Sequence, residues 1–261
     1  MPTIQSVINT ILTQIPEPLT EETVDTIKAG DSSQPVTGIV TTFLASQAVL
    51  EKALDLGANL VITHEPTFYN HLDETDWLRD DPVFLQKRAF IEQHNLVVWR
   101  FHDNLHRHQP DPTMAGISQA LGWQDYLDED QGFFKIPGTS LSALAQMVKE
   151  RLGIKGLRMV GDPEMVCQSA GILVGAWGGR NHINFWRQTG VDVLIVGEID
   201  EWETSEYTRD AIIQGRNRGL IITGHANSEE PGMEWLVDWL RPLIPKTPIY
   251  HVPVGDPFLF V

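Results

Sequence analysis

Six short apolar runs punctuate the chain: VTGIVTTFLA (36–45), NLVITH (59–64), NLVVWRFHD (95–103), SAGILVGAW (169–177), VDVLIVGE (191–198) and GLIITGH (219–225). Their near-continuous apolar character predicts strands covered on both faces, as in a largely parallel sheet flanked by helices. Helical patterns fill the intervals. Ser46 is placed to cap a helix that closes at Gly57, and Asp81 with Pro82 opens another. Leu141, Leu144, Val148 and Leu152 form one stripe that ends at Gly153. Strand, helix and strand in alternation predict an α/β fold class. The stretch DYLDEDQGFFKIP (125–137) breaks the rhythm with an acidic cluster, a glycine and a proline, and predicts a lobe boundary. A second alternating series then runs from Thr139 to about Gly215.

Three of the runs end on side chains competent to bind metals: VITHE, VVWRFHDNLHRH and IITGHANSEE; a fourth, VLIVGEIDEWE, ends on Glu198. In open α/β sheets ligands bind beyond the carboxyl ends of the strands, so these ends are expected to converge on one side. Taken alone, His64 with Glu65 reads as readily as a strand-end histidine bonded to a carbonyl beside a solvated carboxylate. Pro66 tips the balance slightly, because the residue before a proline is held extended. His102, Asp103, His106 and His108 lie within one short stretch that leaves a core strand, and read equally as a solvated turn or as ligands. His225 and Glu229 are four apart, the spacing that stacks two side chains on one helical face, with Asn227 or Ser228 as cap and Pro231 in the first turn. A helix N-terminus attracts carboxylates with or without a metal. The recurrence of histidine at three strand ends is what the bland accounts leave unexplained. Mixed histidine and carboxylate donors suit Zn, Mn, Fe, Co or Ni rather than Ca or Mg. Five such groups exceed one closed tetrahedral site and read as a two-metal centre.

Composition narrows the partners. The 261 residues, 42% hydrophobic, suffice for one large α/β domain or two smaller lobes. Nineteen Lys and Arg stand against 35 Asp and Glu, and the net charge of -16 repels a phosphate backbone, which disfavours nucleic acid. The single cysteine, Cys167, excludes an internal disulfide framework, reads as a small buried hydrophobe and fits a reducing compartment. No apolar run approaches the ~20 residues of a membrane span, and the N-terminal MPTIQSVINTILTQI lacks a basic leader start. A cytoplasmic protein without a membrane segment is expected. Trp177, Phe185, Trp186 and Trp202 offer a wall for a ring, although aromatic residues in such runs more often form core. VGAWGG supplies glycine only, a weak phosphate signal.

GANLVITHEPTFY resembles the GADLIITHHPLIF element of the NIF-three-like dinuclear metal centre proteins, often named GTP cyclohydrolase type-two homologues. VDTIKAGD is similar to that family's DNVGLQVG, FHDNLHRH to SHTNLDAA, GVDVLIVGEID to GADVYITGDIK, and GHANSEE to GHYASE, in the same order along nearly the whole chain. The resemblance implies two α/β lobes with mixed, largely parallel sheets, a metal pair in the cleft between them, and a homohexamer built as a trimer of dimers. Residues 1–125 with 226–261 would form the first lobe and 126–225 an inserted second. It also implies the metal ligands His64, Glu65, His106, His225 and Glu229, with His102 near the metals; two ions there would favour hydrolysis, for which His102 or Asp103 is the candidate proton shuttle. His71 stays outside this set. Two departures offset each other: Glu65 stands where the family has a second histidine, and His106 where it has an aspartate. Count and formal charge are unchanged, which implies a swap in which Glu65 and His106 bind the same ion; in the alternative, Asp103 supplies the displaced carboxylate. Ala226 replaces the tyrosine of GHY. The activity implied is metal-dependent hydrolysis of a small molecule of unknown identity, cyclohydrolase-like by analogy. The competing expectations are a non-enzymatic oligomeric adaptor and a metal-storage protein.

Overall fold

In the computed structural model, which describes residues 1–128 and 132–259, five of the six apolar runs contain a strand and the run 169–177 holds the second half of one. In chain order the strands are β1 (Ile27–Ala29), β2 (Ile39–Thr42), β3 (Leu60–Thr63), β4 (Val97–Arg100), β5 (Leu127–Asp128), β6 (Phe133–Ser140), β7 (Arg158–Val160), β8 (Val166–Leu173), β9 (Val193–Val196), β10 (Gly219–Ile222) and β11 (Ile249–His251). The helices are α1 (Ile4–Leu12), α2 (Gln47–Asp55), α3 (Pro82–Gln93), α4 (Pro112–Leu121), α5 (Leu141–Arg151), α6 (Gly179–Thr189), α7 (Glu206–Ile213) and α8 (His225–Leu243). The fold is mixed α/β, as the pattern predicts.

The predicted caps are in place. Ser46 Oγ accepts from the Val49 amide at 3.3 Å, and Asp81 Oδ1 from that of Phe84 at 2.9 Å. Past α2 and α5 the chain turns at Gly57 (φ +69) and Gly153 (φ +64), left-handed backbone that a side chain would strain. Helix α8 differs from the expectation: it starts at His225 rather than after Asn227 or Ser228. The reason lies in the two expected caps, which bond backward instead. Asn227 Nδ2 donates to the Thr223 carbonyl at 2.8 Å and Ser228 Oγ to that of His225 at 2.7 Å.

The chain divides into two compact units, Met1–Pro112 with Gly232–Val254, and Thr113–Pro231 with Gly255–Val261. The sequence reading puts its crossings at 125/126 and 225/226. Within the predicted boundary stretch, 129–131 lie outside the described residues.

The first unit holds a five-stranded sheet ordered β1-β4-β3-β2-β11, in which β4, β3, β2 and β11 run parallel and β1 is antiparallel. Successive residues serve opposite faces. Ile39, Leu60, Ile62, Val97 and Trp99 pack with α1 and the Met233–Leu240 part of α8, whereas Val40, Val61 and Val98 pack with α2 and α3. Both faces are therefore dry, which is why these strands lack polar alternation. Each buried Ile, Leu or Val contributes roughly 1.5–3 kcal/mol relative to exposure.

The second unit holds a six-stranded sheet ordered β5-β6-β8-β9-β10-β7, with β8, β9 and β10 parallel and the rest antiparallel. Ala170, Ile172, Val193, Ile195 and Ile221 face α4 and α5; Leu173, Leu194, Val196, Leu220 and Ile222 face α6 through Trp186. Among the described residues, no helix is long and apolar enough to cross a membrane.

Candidate functional site

In the first unit the parallel strands β3 and β4 deliver their carboxyl ends to the same sheet edge. Pairing continues past β3: the His64 amide donates to the Thr42 and Phe43 carbonyls at 3.2 and 3.0 Å, and that of Glu65 to Phe43 at 2.7 Å. Past β4 the Phe101 amide donates to Thr63 at 2.9 Å, and the chain then bends. The Asp25 carboxylate holds that bend. It accepts from three successive amides, His102 at 2.7 Å, Asp103 at 2.9 Å and Asn104 at 2.8 Å. A 3-10 turn, Leu105–Arg107, then brings His106 back to His102.

Three imidazoles gather there. The His64 ring is fully buried and stacks on His102 at 4.6 Å between centroids, and His106 stands edge-on to both, at 5.0 Å from His64 and 5.1 Å from His102. One ring nitrogen from each lies within 4.8 Å of the others, a group that could hold a metal ion. Each Nδ1 has an oxygen acceptor: the Phe101 carbonyl for His64 (3.4 Å), Asp103 for His102 (2.9 Å) and Asp111 for His106 (2.9 Å). A proton on Nδ1 leaves the Nε2 lone pair for a metal, and this carboxylate or carbonyl backing is what metal-binding histidines characteristically have.

Glu65 borders the same group. Its Oε1 is 3.5 Å from His102 Nε2, and its Oε2 accepts from Arg100 Nη2 at 3.3 Å. Arg100 has no solvent exposure; its Nε donates to the His64 carbonyl at 3.0 Å and its Nη1 to that of His71. His71 thus anchors the arginine through its backbone, with its ring 5.8 Å from that of His102. Burial pulls the His102 pKa down, but the bonds to Glu65 and Asp103 outweigh it and the net shift is upward. Burial opposes ionisation of Asp103 as well, yet the Val24 amide, His102 and Thr23 hold its pKa down at about 2. With both oxygens so engaged, Asp103 is a backing group for His102.

In the second unit β8, β9 and β10 run parallel and present Gly175, Glu198 and His225 at one edge. The Thr223 and Gly224 amides continue the ladder to Val196 (2.9 Å) and Gly197 (3.0 Å), which sets His225 at the start of α8. Its Nε2 is 3.2 Å from Glu229 Oε2, the predicted one-turn stacking, and its Nδ1 pairs with Glu198 Oε2 at 3.0 Å. Here too a carboxylate backs Nδ1. Glu229 is buried against Gly175 (φ +72), where any Cβ would come within 2.2 Å of Glu229 Oε1. The first glycine of VGAWGG therefore makes room for a carboxylate; the phosphate reading of that motif is not needed. Ser228 Oγ accepts from the Gly175 amide at 2.9 Å and locks the two segments together.

The sequence singled out His64, Glu65, His102, Asp103, His106, His225 and Glu229, and the structure groups the first five in one unit and the last two in the other. It adds Arg100, Asp25 and Asp111, which sequence reasoning missed. An arginine inside NLVVWR was the one visible signal, because a charge in an otherwise apolar strand must find partners. Of the four aromatic residues proposed as a ring wall, Phe185 and Trp186 belong to the core, while Trp177 and Trp202 are exposed. Cys167 is buried and its thiol is pushed up to about 11 by burial and then by Asp192, as befits an inert core residue. The donor chemistry of both clusters fits borderline divalent metals.

Comparison with known proteins follows the same line. The "GTP cyclohydrolase 1 type 2 homolog" of Escherichia coli (strain K12) is 29% identical over 222 residues, covering 81% of this chain and 82% of that protein. The protein of that name from Clostridium acetobutylicum is 25% identical over 223 residues, 79% of this chain and 77% of its own. Among solved structures, a Bacillus cereus protein related to NIF3 superposes with a TM-score of 0.79 at 17% identity, over 100% of this chain and 99% of that one, and so shares the fold. The profile of the Duf34/NIF3 (NGG1p interacting factor 3) family matches residues 3–254, and the chain belongs to that family.

Proposed function

We propose that the chain is a metal-dependent hydrolase that binds two divalent transition-metal ions, drawn from Zn, Mn, Fe, Co and Ni, through His64, Glu65 and His106 of the first unit and His225 and Glu229 of the second. One observation carries this reading. The three histidines of this set, His64 and His106 in the first unit and His225 in the second, each have Nδ1 backed by an oxygen acceptor, the arrangement that directs Nε2 toward a metal. Bound ions of this kind supply Lewis acidity and make water a nucleophile near neutral pH. The chain's own groups supply the rest. Arg100 orients Glu65, Asp25 fixes the backbone that carries His102, and Asp103 orients the His102 ring. His102 is the group that takes up and returns a proton, and Asp103, ionised throughout the neutral range, keeps its ring in place. Glu65 and His106 both border His102, which supports the reading in which they serve the same ion.

The cyclohydrolase wording of the relatives' names makes nucleotides and cyclic amides the first substrates to test. Elemental analysis of the purified chain is expected to find about two metal ions per chain. Glu229→Gln and His64→Ala should each lower that content and abolish hydrolysis; activity that survives Glu229→Gln counts against the site.

An adaptor reading has one observation of its own: Trp177 and Trp202 are 54% and 74% exposed, and aromatic residues of this kind anchor protein interfaces. Full metal content, a homohexamer by light scattering and no turnover on the panel would favour it. Under either reading the chain is cytoplasmic, in keeping with its buried thiol.

A further inference from the structure

Trp202, one of the residues offered as a ring wall, lines a groove of about 800 Å³ between α6 and α7 of the second unit. The volume lies within the range of small-molecule sites, and none of the metal ligands proposed above is in its lining. Three contacts fix the floor and set the two walls in register. Glu203 Oε2 accepts from the Gly179 amide at 2.9 Å, His182 Nδ1 pairs with Thr204 Oγ1 at 2.9 Å, and the Trp186 and Tyr207 rings stack at 6.1 Å. A π-turn, Glu201–Ser205, precedes α7 and carries Trp202 into solvent; such turns recur at functional sites.

That register gives the groove two ends. Arg180 shares one with Trp202 and Glu203, and Arg187, two turns or about 10 Å along the helix, shares the other with Tyr207 and Asp210. Arg180, Arg187 and Asp210 have no ion-pair partner among the described residues, whereas Glu206 pairs with Arg209. With Arg209 counted, three guanidinium groups stand against three carboxylates. A multiply charged anion such as a phosphate ester gains from the arginines and loses to the carboxylates. A ligand suited to the groove is neutral overall, carries one charge of each sign close together, and has a flat apolar face for the exposed indole.

We propose that this groove binds an aromatic α-amino acid as its zwitterion. The carboxylate lies on the Arg187 guanidinium, the ammonium on Asp210, and the ring on Trp202. Amino-acid binding here goes beyond the hydrolase reading and does not rest on it, because the groove shares no residue with the proposed metal centre.

Saturation-transfer NMR on the full chain tests this with four probes: phenylalanine; its amide, which lacks the carboxylate; N-acetylphenylalanine, which lacks the ammonium; and alanine, which lacks the ring. Phenylalanine is expected to bind at about 0.1–1 mM, modest because the groove is open to water, and each of the other three about fivefold or more weakly. Three exposed side chains then report their own contacts. Arg187→Gln should remove the preference over the amide, Asp210→Asn the preference over the N-acetyl compound, and Trp202→Ala the preference over alanine, each with circular dichroism and metal content unchanged. No transfer to phenylalanine, equal binding of the amide or the N-acetyl compound, or preferences that persist in the variants would overturn the proposal. Treatment with a chelator separates it from the hydrolase reading. Binding that survives removal of the metals supports the groove whatever becomes of hydrolysis, and binding lost with the metals places the amino acid elsewhere and sinks the groove assignment.

Discussion

Arg100 sits at the end of a strand buried on both faces, and each of its three guanidinium nitrogens donates to an oxygen. Its charge is balanced by Glu65 at 3.3 Å and by Asp73 at 3.8 Å, whose Oδ2 also pairs with Lys28 at 3.5 Å. Arg100→Met keeps the volume but strands these carboxylates and carbonyls. A loss of about 3–5 kcal/mol in urea unfolding is expected, the usual cost of breaking a buried ion pair from one side, together with lower metal content. Gly175→Ala tests the second unit at the same scale. Its Cβ would press on the Glu229 carboxylate from a left-handed backbone, so metal binding should fall about 10- to 100-fold, while circular dichroism stays native. These two residues differ in how far the sequence speaks for them. Gly175 stands in a glycine-rich motif whose purpose depends on Glu229, a residue far along the chain, and no local pattern connects them.

At the scale of elements, strand positions and helix caps were readable because each is set by neighbours in sequence: Ser46 and Asp81 cap amides three residues on. The loop after β4 was not readable in the same way, because Asp25 organises it across a long separation. Asp25→Ala leaves three amides without their acceptor. Each such group costs about 1–3 kcal/mol when it stays buried, and hydrogen exchange at 102–104 should accelerate ahead of the rest of the strand. Helix α3 carries a second test. Lys87 is 4% exposed, donates to the Thr67 carbonyl at 2.7 Å and lies near the faces of Phe68 and Tyr69. Burial, partly opposed by Asp73, lowers its pKa to about 8 from 10.5. Between those values the unfolded chain holds the proton and the folded chain has released it, so folding stability should rise as pH increases from about 8 to 10.5. Lys87→Met should raise stability at neutral pH and flatten that slope.

For the whole molecule, acid sensitivity has a named contributor in the second unit. His182 is fully buried, its Nδ1 pairs with Thr204 Oγ1 at 2.9 Å, and burial lowers its pKa below 6.5 despite nearby Glu203. The unfolded chain takes the proton first, so this stability is complete above pH 6.5 and is lost as pH falls toward the folded value. Equilibrium unfolding of His182→Asn should show a shallower decline in that window. Light scattering on the native chain tests the hexamer that the family resemblance implies; a monomer at micromolar concentration would overturn it.

By itself the sequence determined the α/β class, the six core strands, the caps that open α2 and α3, and the histidines and carboxylates at the strand ends. Each of these follows from local periodicity, capping chemistry or ligand type, which act over a few residues. Only the tertiary structure decided which of those groups face one another. It assigned Asp103 to the backing of His102, gave Arg100 to Glu65 and His64, and revealed Gly175 as the space that Glu229 occupies. Parallel strands explain the division: their ends meet only after long crossovers, so side chains that share a site are far apart in sequence and leave no periodic trace.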